Sequence, residues 1–162
     1  MKQEIDIEQR AAQGVEFFKK GYNCAQSVVL TFADIYGLSE DLALRISASF
    51  GGGIGRMRLT CGAASGMFIL AGLENGTVIA GDTLGRGANY QLVQNLAHEF
   101  EKRNGSLICA TLLGIRSGKI ETAMPSQRTL EYYSNRPCSK MVEEACRIYA
   151  EHLRSCFNLI KK

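Results

Sequence analysis

Four of the six cysteines in this chain stand where helical patterns are predicted to begin: Cys24, Cys61, Cys109 and Cys138. At the start of a helix, a thiol faces unpaired backbone N–H groups and the positive end of the helix dipole. This environment favours the thiolate, which is the form that attacks electrophiles and binds metals. Four such placements predict a site built from thiols rather than cysteines scattered through a core.

Among the four, Cys61 has the sequence neighbours that most favour a reactive thiolate. Arg56 and Arg58 precede it closely, and Thr60 is predicted to cap the helix that Cys61 opens. Cationic neighbours and a helix N-terminus lower the pKa of a thiol from ~8.5 to roughly 3.5–7.5. The sequence therefore predicts Cys61 as the attacking thiolate. The alternative is a small buried residue beside a glycine-rich helix.

A glycine-rich segment, Gly51 to Arg56, lies just before that cysteine. It lacks the Gly-Lys-Ser/Thr ending of a P-loop and follows a helical pattern rather than a strand, so nucleotide binding is not predicted. Instead, four residues are predicted to bring N–H groups and positive charge to the thiols or to a bound anionic group: Gly52, Gly53, Gly55 and Arg56. A simple flexible turn is the alternative.

The other two cysteines and both histidines are predicted to have ordinary structural roles. Cys146 continues an apolar stripe and is expected in the core, whereas Cys156 is expected to be a half-exposed thiol outside the site. His98 and His152 stand among charged residues, which is typical of a solvated helix face. Neither histidine is predicted to act as a base for a cysteine or as a zinc ligand.

The elements that must position the thiols are predicted to be helices almost throughout. Apolar residues recur at spacings of three and four, and residues suited to N-caps precede several of these runs. The predicted caps are Asp6, Asn23, Ser39, Thr60, Asp82 or Thr83, and Ser106. No strand alternation persists, so we predict an all-α fold, a single-domain helical bundle of about six to eight helices over residues 1–162.

Composition and charge argue against several classes of protein. With 162 residues, 46% hydrophobic and 22% charged, the chain resembles one ordinary globular domain. Its net charge is only +3, and the basic residues are dispersed, so no nucleic-acid partner is predicted. The N-terminus lacks a signal-peptide pattern, and Met67 to Leu73 is far shorter than the ~20 residues that span a bilayer. A cytoplasmic protein without membrane insertion is therefore expected.

Two glycines of the predicted fourth helix, Gly62 and Gly66, form a smooth strip that allows another backbone to approach closely. This strip makes a homodimer a candidate arrangement. The redox partner of the thiols is not identified by the sequence.

Five segments carry a resemblance to a known family: Gly21–Val28, Phe50–Met57, Cys61–Gly66, Gly105–Gly114 and Cys138–Val142. Together they resemble the C_GCAxxG_C_C family of redox-active proteins, most of whose members are bacterial or archaeal. The four signature cysteines of that family correspond to the four thiols at helix starts. The resemblance implies a redox role, with an iron–sulfur cluster or another bound prosthetic group.

The chain departs from the family pattern in three respects. It has two additional thiols, Cys146 and Cys156, and a long predicted loop, Gly114 to Ser126. Its core motif also reads Cys-Gly-Ala at Cys61, where the family name has Gly-Cys-Ala. The additional thiols leave open whether one of them replaces or resolves a signature cysteine.

Four functions remain open at the level of sequence. Thiol–disulfide exchange is favoured slightly over a four-cysteine iron–sulfur cluster, whose ligands here would be assembled by the fold. A structural four-cysteine zinc site fits the number of ligands but lacks closely spaced ligand pairs. The fourth function is that of a non-catalytic helical interaction domain. It belongs to a different functional class, because its binding would not depend on the thiols.

Overall fold

A computed structural model describes residues 4–116 and 121–160. Within these residues the chain forms eight α-helices and one short 3₁₀-helix. The α-helices are α1 Ile7–Lys19, α2 Cys24–Thr31, α3 Glu40–Ser47, α4 Gly62–Asn75, α5 Thr83–Asn104, α6 Cys109–Leu113, α7 Leu130–Asn135 and α8 Cys138–Ile160, and the 3₁₀-helix is Ala48–Phe50. The predicted all-α fold is confirmed.

Helices α2 and α4 lie at the centre of the bundle, and α8 packs across it. Helix α1 packs on α8 and α2, while α4 contacts α2, α5 and α8. The core between them includes Phe18, Val28, Met67 and Tyr149, which are all at most 1% exposed. Because α2 and α4 begin beside each other, their first residues are brought to one end of the bundle.

The glycines of α4 permit this close packing. A Cβ atom added to Gly66 would lie 2.8 Å from the Cβ of Val28, and one added to Gly62 would lie 3.2 Å from the Cβ of Cys24. Real Cβ atoms do not approach other atoms at the first of these distances. The predicted smooth strip is confirmed, and within this chain it is occupied by α2.

Local capping signals position several helix starts as predicted. The side chains of Asp6, Ser39 and Asp82 accept hydrogen bonds from the first turns of α1, α3 and α5. Asn23 forms a reciprocal capping box with Gln26, which fixes the first turn of α2 and therefore the position of Cys24.

Two predicted caps are wrong. The residue at the N-cap of α4 is Cys61 itself rather than Thr60, and α6 is preceded by Ile108 rather than capped by Ser106. The physical reason is a backbone pairing in which Thr60 and Ile108 form an isolated antiparallel bridge. This pairing keeps both segments extended for longer than their local sequence predicts.

The segment from Gly51 to Leu59 is a compact loop with an unusual backbone. Ile54, Arg56 and Arg58 have φ values of 63°, 64° and 62°, a region that non-glycine residues seldom adopt. Hydrogen bonds inside the loop hold this conformation, including Arg58 N–H to the Gly52 carbonyl at 3.1 Å. The loop therefore presents its arginines from a fixed rather than a freely flexible backbone.

In the described part of the chain, the helices are each too short or too polar to cross a membrane.

Candidate functional site

The four predicted cysteines line one cavity at the end of the bundle where α2, α4, α6 and α8 begin. The cavity has a volume of about 420 Å³, and its walls include Cys24, Cys61, Cys109 and Cys138. Three of these residues are the first of their helices, and Cys61 is the N-cap of α4. The structure thus brings together thiols that are far apart in sequence.

Backbone pairing holds two of the thiols side by side. The N–H of Cys61 donates to the Leu107 carbonyl at 2.7 Å, and the N–H of Cys109 donates to the Leu59 carbonyl at 2.6 Å. Gly53 packs against the same place, because an added Cβ would lie 2.6 Å from the Cβ of Cys109. Cys61 and Cys109 are consequently 5% and 7% exposed.

Burial shifts the pKa of Cys61 in the direction opposite to the one that the sequence predicts. Removal of its sulfur from water raises the pKa of Cys61 to about 12, although the N–H groups of Ala63 and Ala64 act in the opposite direction. The pKa of Cys109 is also raised by burial, despite Arg58, whose Nη1 lies 3.8 Å from the Cys109 sulfur. Burial thus disfavours the acidic thiol that the sequence predicts at Cys61, because desolvation outweighs the helix start.

The acidic thiol is Cys138. A hydrogen bond with the Cys24 thiol, together with the charges of Arg136, Arg128 and Arg58, lowers the pKa of Cys138 to about 7. The same hydrogen bond raises the pKa of Cys24, because Cys24 retains the proton that the pair shares. Both residues are half-buried rather than fully enclosed. The pair combines a thiolate at neutral pH with a neighbouring thiol.

Positive charge surrounds the cavity. Its walls include four arginines: Arg56, Arg58, Arg128 and Arg136. Only Arg56 and Arg58 are predicted from the sequence to lie near the thiols. Arg136 is two residues before Cys138, so the proximity argument applied to Cys61 would have found it, whereas Arg128 approaches only through the fold.

Aromatic rings and backbone carbonyls hold the two arginines that sequence analysis missed. The guanidinium groups of Arg128 and Arg136 lie 4.9 and 4.7 Å from the centre of the Tyr132 ring. Arg128 also donates to the carbonyls of Phe18 and Tyr22 at 3.3 and 3.2 Å. Tyr132 belongs to α7, a short helix that the sequence pattern did not predict. These contacts fix positive charge beside Cys138.

A segment from the long predicted loop closes one side of the cavity. Glu121 accepts from Arg58 at 2.9 Å and lies 3.4 Å from Arg56. Arg56 also donates to the Thr122 carbonyl and to the Ser126 hydroxyl. Part of the loop, residues 117–120, lies outside the described residues. The described part is tied to the arginines of the glycine-rich segment.

The predicted binding residues of that segment divide into two groups. Gly52, Gly55 and Arg56 line the cavity, whereas Gly53 supports Cys109. The N–H groups of Gly55 and Arg56 donate to the carbonyls of Ser49 and Gly51, so both are engaged within the loop. We predicted that these residues bind an anionic group through their N–H donors. This stays a prediction, which the contacts above do not support.

The two additional cysteines lie apart from the cavity. Cys146 is 0% exposed in the core and Cys156 is half-buried, as predicted. The surface assignment of His152 is incomplete, however, because its Nε2 lies 2.8 Å from Glu74 Oε1 and its ring is close to Cys156. Among the described residues, the potential metal ligands whose atoms lie within 4.8 Å of one another are Glu74, His152 and Cys156, rather than the four cavity cysteines.

The fold and the site together define an all-helical protein with a thiol-lined, arginine-rich cavity. The chain belongs to the family described as "Putative redox-active protein (C_GCAxxG_C_C)", whose model matches residues 22–152. The matched region includes all four cavity cysteines, and the family resemblance seen in the sequence is confirmed. Neither curated proteins nor solved structures gave a significant match.

Proposed function

We propose that this protein exchanges thiols and disulfides with an external disulfide through Cys138 and Cys24. The observation that carries the proposal is the placement of Cys24 and Cys138 in one cavity beside Arg128 and Arg136, where the pKa of Cys138 is lowered to about 7. An attacking thiol works best when its pKa is near the ambient pH, because both the thiolate fraction and its nucleophilicity count. Cys138 meets this condition at neutral pH, and Cys61 does not.

The reaction follows in two balanced steps. The Cys138 thiolate attacks one sulfur of the external disulfide, forms a mixed disulfide and releases the first thiolate. Cys24 then gives its proton to solvent water and attacks Cys138 Sγ, which releases the second thiolate and leaves a Cys24–Cys138 disulfide. The external disulfide gains two electrons, and the two cysteines lose them. Cys61 and Cys109 are the two buried thiols of the same cavity.

The arginines support this chemistry electrostatically. Positive charge from Arg136 and Arg128 favours the Cys138 thiolate. A cavity with four arginines and one neighbouring glutamate also favours a partner that carries negative charge near its disulfide.

Incubation of the reduced protein with a small anionic disulfide tests the proposal. We expect a Cys24–Cys138 disulfide in the wild type, a stable mixed disulfide on Cys138 in Cys24→Ser, and loss of reaction in Cys138→Ser, all read by mass spectrometry of peptides. Cys156→Ser is the matched control and should react like the wild type. First labelling of Cys61, with Cys138 unmodified, would contradict the assignment.

A four-cysteine iron–sulfur cluster is the second candidate, favoured by four thiols from four helix starts around one cavity of about 420 Å³. The donor set fits, because cysteine thiolates are the usual ligands of such clusters. Cys24, Cys61, Cys109 and Cys138 would hold the cluster, which would supply one-electron transfer. The arginines would offset the negative charge of the four thiolates. Iron and sulfide analysis after anaerobic purification separates the candidates, because a colourless, iron-free protein that forms the Cys24–Cys138 disulfide supports only the first.

A further inference from the structure

A second group of side chains that bind metals well lies at the other end of α4. Glu74 is in the last turn of α4, and His152 and Cys156 are one turn apart on the same face of α8. Their ligand atoms lie within 4.8 Å of one another. The side chains of Glu74 and His152 are 23% and 22% exposed, so the group is sheltered but accessible.

From this arrangement we infer that Glu74, His152 and Cys156 form a binding site for a single zinc ion, separate from the four-cysteine cavity. Zinc accepts sulfur, nitrogen and oxygen ligands together, whereas magnesium and calcium prefer oxygen alone. A thiolate and a carboxylate also balance the charge of a divalent cation when the histidine is neutral.

Two of the three distances between ligand atoms are close to those of a tetrahedral zinc site. Bonds of about 2.0–2.3 Å at tetrahedral angles place neighbouring ligand atoms roughly 3.3–3.6 Å apart. Here Nε2 of His152 lies 3.8 Å from the Cys156 sulfur and 2.8 Å from Glu74 Oε1. The Cys156 sulfur and the Glu74 carboxylate lie within 4.8 Å of each other, so the side chains would draw together around the ion to complete the geometry.

The geometry does not suit a catalytic triad built on the same three residues. In a triad, the acid and the nucleophile use opposite nitrogens of the imidazole. Glu74 lies against Nε2 of His152, and the Cys156 sulfur is 3.8 Å from Nε2 and 3.9 Å from Nδ1. The sulfur is therefore nearly equidistant from the two nitrogens instead of lying at the one opposite the acid, so the three side chains do not form a relay of that kind.

Neighbouring residues orient the carboxylate for this role. Tyr149 donates a hydrogen bond to Glu74 Oε2 at 2.9 Å, and the Tyr36 hydroxyl lies 3.4 Å from the same oxygen and within hydrogen-bond distance of the Tyr149 hydroxyl. Carboxylates that bind a metal ion are typically held by hydrogen bonds from residues around them. Oε2 is thereby fixed, and both carboxylate oxygens lie close to Nε2 of His152, Oε1 at 2.8 Å and Oε2 at 3.0 Å.

A fourth ligand has room to enter. Glu74, His152 and Cys156 line a cavity of about 540 Å³, from which a water molecule could complete the coordination. Arg103 also lines this cavity and is neutralised by Glu151 at 2.6 Å and Glu99 at 2.7 Å. The bound ion would therefore not meet an uncompensated positive charge.

Zinc titration of the full-length, reduced, chelator-treated protein tests the inference, with bound metal measured after dialysis. Compared with the wild type, Cys156→Ala and His152→Asn should each lose one zinc equivalent per chain. Tyr149→Phe should weaken binding by about 10-fold, as expected for loss of an outer-shell hydrogen bond. His98→Asn, at an exposed histidine of α5, is the matched control and should retain all zinc.

Cobalt substitution separates this site from the four-cysteine cavity. Cys138→Ser should retain the sulfur-to-cobalt absorption contributed by Cys156, and Cys156→Ala should lose that contribution. A zinc content that is the same in the wild type and in Cys156→Ala would overturn the inference, as would a wild type that binds no zinc. Neither result bears on disulfide formation between Cys24 and Cys138.

Discussion

At the scale of single residues, the four cavity thiols differ in pKa because they differ in exposure to water and in the charges around them. Cys61 and Cys109 are almost fully buried, so desolvation dominates and their pKa values rise. Cys138 is half-buried between a thiol donor and arginines, so its pKa falls to about 7. A shared position at a helix start therefore does not make thiols equivalent.

Removal of the Cys24 thiol should make Cys138 less reactive. The largest contribution to the lowered pKa of Cys138 is the hydrogen bond with Cys24, so Cys24→Ala should raise that pKa from about 7 towards ~8.5. At pH 7 the thiolate fraction, and hence the alkylation rate of Cys138, should fall about 10-fold. The rate of alkylation against pH, followed on the Cys138 peptide, measures the change.

The same measurement in Cys156→Ala provides the control, because that thiol lies outside the cavity and the midpoint should stay where it is in the wild type. An unchanged midpoint near pH 7 in Cys24→Ala would show that the arginines alone stabilise the thiolate.

At the scale of elements, the sequence predicts what is decided locally and misses what is decided by contacts between distant segments. Asn23 caps α2 through its own first turn, so the start of that helix and the position of Cys24 could be predicted. Ser106 has a suitable side chain, but pairing of Thr60 with Ile108 delays α6 until Cys109. The place of Arg128 in the cavity could not be predicted, because it depends on where α7 packs.

The glycine at position 66 should be required for the packing of α4 on α2. Gly66→Ala would place a Cβ 2.8 Å from the Val28 Cβ, forcing the two helices apart and lowering the free energy of unfolding by about 1–3 kcal/mol. Gly72→Ala in the same helix meets nothing within 4 Å and should raise it by about 0.5–1 kcal/mol. Urea denaturation of both variants measures the difference. Equal effects would mean that helix propensity, rather than close packing, governs position 66.

At the scale of the whole molecule, buried thiols make stability depend on pH. Burial of Cys146 raises its pKa to about 12, whereas the thiol in the unfolded chain ionises near ~8.5. The unfolded state therefore loses its proton first as the pH rises, and the stability present below pH ~8.5 is lost between that value and about 12. Each such thiol lowers the free energy of unfolding by about 1.4 kcal/mol per pH unit in this window.

Replacement of Cys146 isolates this contribution without touching the cavity. Cys146→Ala should show a shallower loss of stability between pH 8.5 and 10, by about 1.4 kcal/mol per pH unit, in urea denaturation at several pH values. The comparison uses the slopes alone, because the cavity left by the substitution lowers stability at every pH. Parallel slopes in the wild type and the variant would show that Cys146 does not ionise on unfolding.

The backbone bridge between the segments before α4 and α6 connects amide protection to thiol access. The amide hydrogens of Cys61 and Cys109 are both held in this bridge, by the carbonyls of Leu107 and Leu59. Solvent deuterium can replace these hydrogens only after the two bridged segments separate. Because these segments enclose both sulfurs, the same separation exposes the thiols. Deuterium uptake at these two amides would therefore follow how often the buried half of the site opens while the rest of the bundle stays folded.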